Sequence, residues 1–338
     1  MTADLGAGRA GTGAGNGPRP GVRTGAGAGA GLGLVGAPAA ARRPPPPPRR
    51  RLWTRRKLVP YFLLAPALLT FAVFKAYPIL DSLWISTTSG AGNATHSVGA
   101  ANYERLIHDP LFWQALRNTF EILVVQVPLM LGLALLLALG VNSSYVRWRP
   151  VWRLGLFMPA VTGLVATGVM FGFLLNKDNG ALNWLLNGVG LGKVDWLGSG
   201  SGARMAVVLV LTWHYTGYNA VIYLAGLQGV RRDLYEAAMV DGAGAVRRFR
   251  SVTVPALRPI ILFTVVLSSI GTLQLFDEPF ILTRGGPDNA TLTVSMYLYE
   301  NGFHYFDFGY ASAIAYALTL LVVILGVAQM RLMGDREK

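Results

Sequence analysis

The chain has no cysteine, four histidines and 17 acidic residues, and only 14% of its residues are charged. Without cysteine it can build neither a disulfide framework nor a thiolate metal site, and its redox compartment is unreadable. The scattered histidines form no H-E-x-x-H pattern, and no G-x-S-x-G nucleophile elbow occurs. The phosphate cradle G-x-x-x-x-G-K-[ST] is missing too. Its nearest approach, "GVGLGKV" at Gly188 to Val194, has the lysine but neither the glycine spacing nor a following hydroxyl. Enzyme chemistry, ATP hydrolysis included, is therefore not expected of this chain, nor is a metal site or a bound cofactor.

What is present is apolar mass. With 52% apolar residues among 338 and a positive mean hydropathy, the chain is too oily for an ordinary soluble domain. The expectation is an all-α membrane protein with the lipid bilayer as its solvent. The net charge of +13 does not argue for nucleic acid, because the arginines gather in the N-terminal tail and in short loops beside apolar runs. Residues 1–57 are Gly/Ala repeats followed by "RRPPPPPRRR", a composition that buries too little apolar surface to fold. They are expected to form a disordered cytoplasmic tail, with a signal anchor rather than a cleaved signal after it.

A bilayer core of ~30 Å needs ~20 helical residues. Six runs approach that length: Leu58 to Leu80, Ile122 to Val141, Leu154 to Leu175, Met205 to Leu227, Ile260 to Phe276 and Tyr310 to Met330. Six transmembrane helices follow. With a cytoplasmic N-terminus and the tail set aside, the inner loops carry twelve Lys and Arg against seven outside, the sense that the positive-inside rule requires. Both termini then lie inside, and so does the polar segment "DLYEAAMVDGAGAVRRFRSVTVPALRP", Asp233 to Pro259, between spans four and five.

That segment predicts an elbow. Asp233, three residues before Glu236, is a capping-box variant that starts a short helix, Leu234 to Val240. Gly242 and Gly244 allow a left-handed turn into a second helical stretch, Val246 to Ser251, which Pro255 is expected to stop. Ala237 and Ala238 give the first arm a small face suited to close approach. A helix this short is marginal alone and needs a surface to pack on.

The same residues carry a family resemblance. Glu236, Ala237, Ala238, Asp241, Gly242 and Ala243, followed by Val252, Val254 and Pro255, resemble the EAA loop of permease subunits in binding-protein-dependent ABC importers. "NYERLIHDPLFWQALRNTF", from Asn102, and "FDEPFILTRGGPDNATLTVSMYLYENGF", from Phe276, are similar to segments of the carbohydrate branch, which is maltose- and glycerol-phosphate-permease-like. The resemblance spans roughly 58–334, with the coupling loop at 229–259, and implies the type I ABC importer permease arrangement in a bacterial plasma membrane. It implies as partners a second homologous permease, two ATPase subunits carrying ATP and Mg, an extracytoplasmic solute-binding protein and a sugar substrate. Glu236 is then the polar anchor in the ATPase cleft, its alternative being simple helix capping.

Polar groups inside spans are costly and mark candidate paths. They are Glu121 and Gln126 in span two, Trp213, His214, Tyr218 and Asn219 in span four, and Gln274, Asp277 and Glu278 at the end of span five. Aromatic faces with amides or carboxylates suit sugars, although interfacial belts and interhelical bonds use the same residues. Gly168 and Gly172 have the spacing of a helix-packing pair. An ion- or proton-coupled carrier working alone and a non-transport membrane scaffold are the alternatives. The first predicts charges deep in the spans, the second no patterned elbow.

Overall fold

The computed structural model describes residues 53–90, 96–143 and 146–334. Of the expected tail, residues 1–52 lie outside the described residues, while 53–57 are already helical. By contact the chain divides into Met1–Tyr61 and Phe62–Lys338.

Helix α1 (Trp53–Phe71) runs through a π turn, Ala72–Ala76, into α2 (Tyr77–Ile85). A two-residue hairpin, β1 (Thr88–Ser89) with β2 (His96–Ser97), leads to α3 (Ala101–His108) and the long α4 (Pro110–Asn142). Next come α5 (Arg149–Val161), α6 (Leu164–Leu174), α7 (Ala181–Gly188) and α8 (Gly200–Gly229). The chain then forms α9 (Arg232–Val240), α10 (Ala245–Arg248), α11 (Val254–Leu273), α12 (Asp277–Leu282), α13 (Val294–Tyr299) and α14 (Phe308–Gly334).

Five stretches are long and apolar enough to cross a bilayer: Pro60–Ile85, Pro110–Asn142, Gly200–Gly229, Ala245–Leu273 and Phe308–Leu332. The sixth span is α5 with α6, broken by a bend of 95°. The continuous helix expected over Leu154 to Leu175 is thus corrected. Thr162 and Gly163 take extended backbone at the break. Pro159, just before it, cannot donate the helical hydrogen bond to its preceding turn. The fifth span also begins a full four turns earlier than the apolar run suggested, because the polar elbow is built from the same helix.

The core lies where α4, α8 and α11 cross. Ala115, Ala134, Ala138, Ala203 and Ala206 are fully or almost fully buried, so backbones approach closely, as is usual between helices in lipid. Gly217 takes this furthest: a Cβ there would sit 1.6 Å from the Leu156 carbonyl oxygen, on the crossing of α5 over α8. Gly168 of the expected glycine pair packs on Ile281 of α12, whereas Gly172 faces open space. Outer faces stay greasy, as lipid requires, with Leu64, Phe74 and Leu136 each more than half exposed.

The two further segments that resembled permeases meet in space. Asn118 Nδ2 on α4 donates to the carbonyls of Asn289 (2.7 Å) and Leu292 (3.0 Å), and the Val294 amide donates to Thr119 Oγ1 at 3.2 Å. At the head of α4, Asp109 caps the helix through the amides of Leu111 (2.9 Å) and Phe112 (3.4 Å). It also accepts hydroxyl bonds from Tyr297 on α13 and Tyr310 on α14. Arg105 lies 3.8 Å over the Tyr310 ring and pairs with Asp307 at 2.7 Å. Burial pushes the Asp109 carboxyl up, but the hydroxyl and amide donors outweigh it and hold the group below its ordinary value.

Candidate functional sites: the elbow and the central cavity

The elbow's first arm, α9, begins differently from the expected capping box. Arg231 occupies the cap without a side-chain capping bond, its guanidinium instead pairing with Asp233 at 2.5 Å, and Asp233 accepts from the Leu234 amide at 3.1 Å. Glu236 therefore does not close a box. It is exposed and forms no hydrogen bond or ion pair among the described residues. The far end of α9 is a Schellman turn. Ala243 N–H donates to the Ala238 carbonyl at 2.9 Å and Gly242 N–H to the Met239 carbonyl at 3.0 Å. Gly242 has φ +73°, the left-handed backbone that only glycine adopts without strain. Gly244 does not share that geometry. At φ −67° and ψ 173° it is extended and precedes α10.

Pro255 does not stop the second arm, as the sequence suggested it would. Residues Phe249–Thr253 form a π turn, and Pro255 sits in the first turn of α11, where a missing N–H costs least. The arm is thereby the beginning of span five, one continuous stretch, Ala245–Leu273. The Tyr235 hydroxyl bonds Thr253 Oγ1 at 3.0 Å and fastens α9 to this arm. Around Glu236 the elbow exposes Leu234, Met239, Val240 (88%) and Val246 (68%), a mixed apolar and charged face left uncovered by the described residues.

The central cavity, about 220 Å³, opens between α4, α8 and α11. Of the expected path residues, Gln126, Tyr218 and Asn219 line it. Gln126 Oε1 accepts from Thr272 Oγ1 at 3.1 Å, its Nε2 donates to Met130 Sδ at 3.2 Å, and Asn219 Nδ2 donates to the Tyr215 carbonyl at 3.0 Å. Other expected residues fall elsewhere. Trp213 packs edge-on against Phe171 of α6, with centroids 5.2 Å apart. His214 is buried, its Nδ1 without a partner among the described residues. Gln274 and Asp277 are exposed outside the lining at the turn from α11 to α12. Glu121 is held by Arg117 (2.8 Å) and Arg204 (2.6 Å), off the cavity.

Glu278 stands between these cases. It is only 4% exposed and lies one bond behind the cavity wall, accepting from the Tyr215 hydroxyl at 3.3 Å. Tyr215, Thr264, Ser268 and Thr272 line the cavity and were not singled out from sequence. A signal was there: the hydroxyl residues 264, 268 and 272 recur at one helical turn, as do Leu211, Tyr215 and Asn219 on the facing span.

The two sites are mechanically linked. Ala245 and Ser268 lie on one helical stretch, ~35 Å apart at 1.5 Å per residue. Movement of the elbow's second arm can be passed along this stretch to the cavity wall, and α9 joins the arm through the Gly242 turn and the Tyr235–Thr253 bond. An exposed elbow whose second arm continues into the wall of a cavity between helices is an arrangement that a driven transporter can use.

Comparison with known proteins agrees. Residues 57–335 match the family model described as "Binding-protein-dependent transport system inner membrane component". The chain is 41% identical to the lactose transport system permease protein LacF of Rhizobium radiobacter over 81% of its own length and 93% of that protein's. It is 34% identical to the arabinooligosaccharides transport system permease protein AraP of Halalkalibacterium halodurans, covering 84% of this chain and 90% of that one. Its fold matches a chain in the crystal structure of a bacterial ABC transporter involved in import of the acidic polysaccharide alginate. The TM-score is 0.75 at 21% identity, over 85% of this chain and all of that one. The chain belongs to the family of binding-protein-dependent transport system inner membrane components, a multi-pass permease of the ABC importer type with six spans, the third of them broken.

Proposed function

We propose that the chain imports a sugar, forming half of a pseudo-symmetric pore completed by a second homologous permease. Two ATPase subunits, which carry the ATP and Mg that this chain does not, drive it from the cytoplasm. An extracytoplasmic solute-binding protein delivers the substrate. The observation that carries this reading is the helical continuity between the elbow's second arm and the cavity wall. Relatives named for lactose and arabinooligosaccharides support the sugar, as does a cavity lined by tyrosines and amides. An ion-coupled carrier working alone is disfavoured, because no carboxylate, imidazole or cation lines the cavity.

In this reading the permease domain is 58–334, preceded by the 1–57 tail, with the coupling loop at 229–259 in the cytoplasm of a bacterium. Both termini share that side, the sense set by the basic loops. Glu236, with Ala237, Ala238, Asp241, Gly242, Ala243 and Pro255 shaping the elbow around it, docks in the ATPase. ATP-driven closure of the ATPases moves both coupling helices and shifts the pore between inward-open and outward-open populations. Substrate passes Gln126, Tyr218 and Asn219, with Glu278 behind them, while Gln274 and Asp277 lie toward the outer mouth.

The test is Glu236→Ala in reconstituted vesicles. ATP-driven uptake should fall about tenfold or more, because an anchoring charge contact in a docking cleft is worth on the order of 1.5–3 kcal/mol. The melting temperature of the purified permease should stay within about 1 °C, since Glu236 bonds nothing among the described residues. Near-normal uptake together with normal complex assembly would overturn the docking role.

A further inference from the structure

The wall of the central cavity has a hydrogen-bonding polarity. None of its lining residues is Lys, Arg, His, Asp or Glu. Its donors are largely engaged within the wall itself. Gln126 Nε2 is on Met130 Sδ, Asn219 Nδ2 on the Tyr215 carbonyl, and the single Thr272 hydroxyl proton is shared between Gln126 Oε1 and the Ser268 carbonyl at 2.9 Å. The Tyr215 hydroxyl donates away from the cavity, to Glu278. What remains for a ligand is mainly lone pairs: Asn219 Oδ1, the second lone pair of Gln126 Oε1 and the Tyr215 oxygen. The hydroxyls of Tyr218 and Ser268 hold no hydrogen bond among the described residues and can turn to donate, and Gln126 Nε2 keeps a second N–H.

Resting on the sugar reading above, we propose that this cavity selects neutral, hydroxyl-rich sugars and rejects acidic ones, with Glu278 as the positioning residue that keeps Tyr215 an acceptor. A sugar hydroxyl satisfies an acceptor wall by donating to it. A carboxylate, sulfonate or phosphate brings only acceptors and a charge, and on this chain's wall it finds a few neutral donors and no counter-charge, so its desolvation goes largely uncompensated. The Glu278 carboxylate, one hydrogen bond behind the Tyr215 wall, adds to the discrimination.

The experiment uses the assembled, purified importer without its binding protein, so that the pore alone is read. Equilibrium binding is measured for lactose, maltose and cellobiose, and for the same disaccharides with the terminal hydroxymethyl group oxidised to a carboxylate. At least one neutral member should bind, and its acidic counterpart should bind about tenfold more weakly or worse. Equal or tighter binding of the acid overturns the selectivity. Binding of none of the six overturns the sugar reading itself, a distinct result. Glu278→Gln should keep neutral-sugar affinity, because its amide oxygen accepts the same tyrosine bond, whereas Glu278→Leu should lose about tenfold. If Gln and Leu behave alike, the positioning role is wrong. Should both fail to assemble, Tyr215→Phe must weaken neutral-sugar binding and narrow the gap to the acid, and an unchanged gap overturns the role equally.

Discussion

The elbow and the central cavity differ in how they are made. The elbow is local: a nine-residue helix, a Schellman turn at Gly242 and a second arm that flows into α11. The cavity is assembled from three helices far apart in the chain, with Gln126, Asn219 and Thr272 contributed by α4, α8 and α11. One owes its shape to backbone geometry within a dozen residues. The other depends on how three cylinders are rotated against each other, and on small residues that let them approach. The elbow should therefore fail by losing coupling while the fold survives, and the cavity region should fail by losing the fold.

The largest test of that contrast is Gly217→Ala. The added methyl would overlap the Leu156 carbonyl, so α5 must lift off α8. A loss of about 3 kcal/mol or more is expected, read as a fall in the melting temperature of the purified permease and poor assembly. A melting temperature within about 1 °C of the parent would break the contrast.

Gly242→Ala is the counterpart on the elbow. A left-handed alanine costs about 1–2 kcal/mol, confined to a turn that packs little of the core. The melting temperature should move little, while ATP-driven uptake drops about tenfold as the arms change angle. Global destabilisation comparable to Gly217→Ala would erase the distinction.

Acid supplies the smallest and most local test, at the head of α4. A carboxyl held below its ordinary value of 3.8 adds stability that is complete above that value and is lost as pH falls through the lowered one. Below about pH 4, amide exchange after correction for intrinsic rate should accelerate over α3, the start of α4 and α13, and stay flat over α9. Asp109→Asn should abolish the pH step. A step of equal size in α9 would show that the acid effect is not the Asp109 knot.

These differences also govern what could be read in the chain. Gly242 was legible because a positive-φ position in a short helix-ending turn leaves a residue-level mark. The third span's break was not, since Thr162 and Gly163 interrupt no apolar run and the close crossing at Gly217 is invisible without its partner. Pro255 misled because its cost depends on the preceding π turn, which no single residue announces. Trp213 and Glu121 looked like path residues by chemistry alone. Their helix faces turn them toward Phe171 and toward Arg117 and Arg204. In lipid both the inner and outer faces of a helix are apolar, so the periodicity that orients a helix in water is faint.

By itself the sequence determined an all-helical membrane chain, its spans to within a few turns, the elbow and its glycine, and its membership of a transporter family. Those are properties of composition, run length and local backbone preference, each a sum over neighbours in the chain. Tertiary structure alone decided which polar groups share a cavity, that Glu278 stands behind it on Tyr215, and that the elbow's second arm and the cavity wall are one helical stretch. These follow from interhelical distance and rotation, which are set by contacts between residues scores to nearly 150 positions apart, such as Gln126 with Thr272.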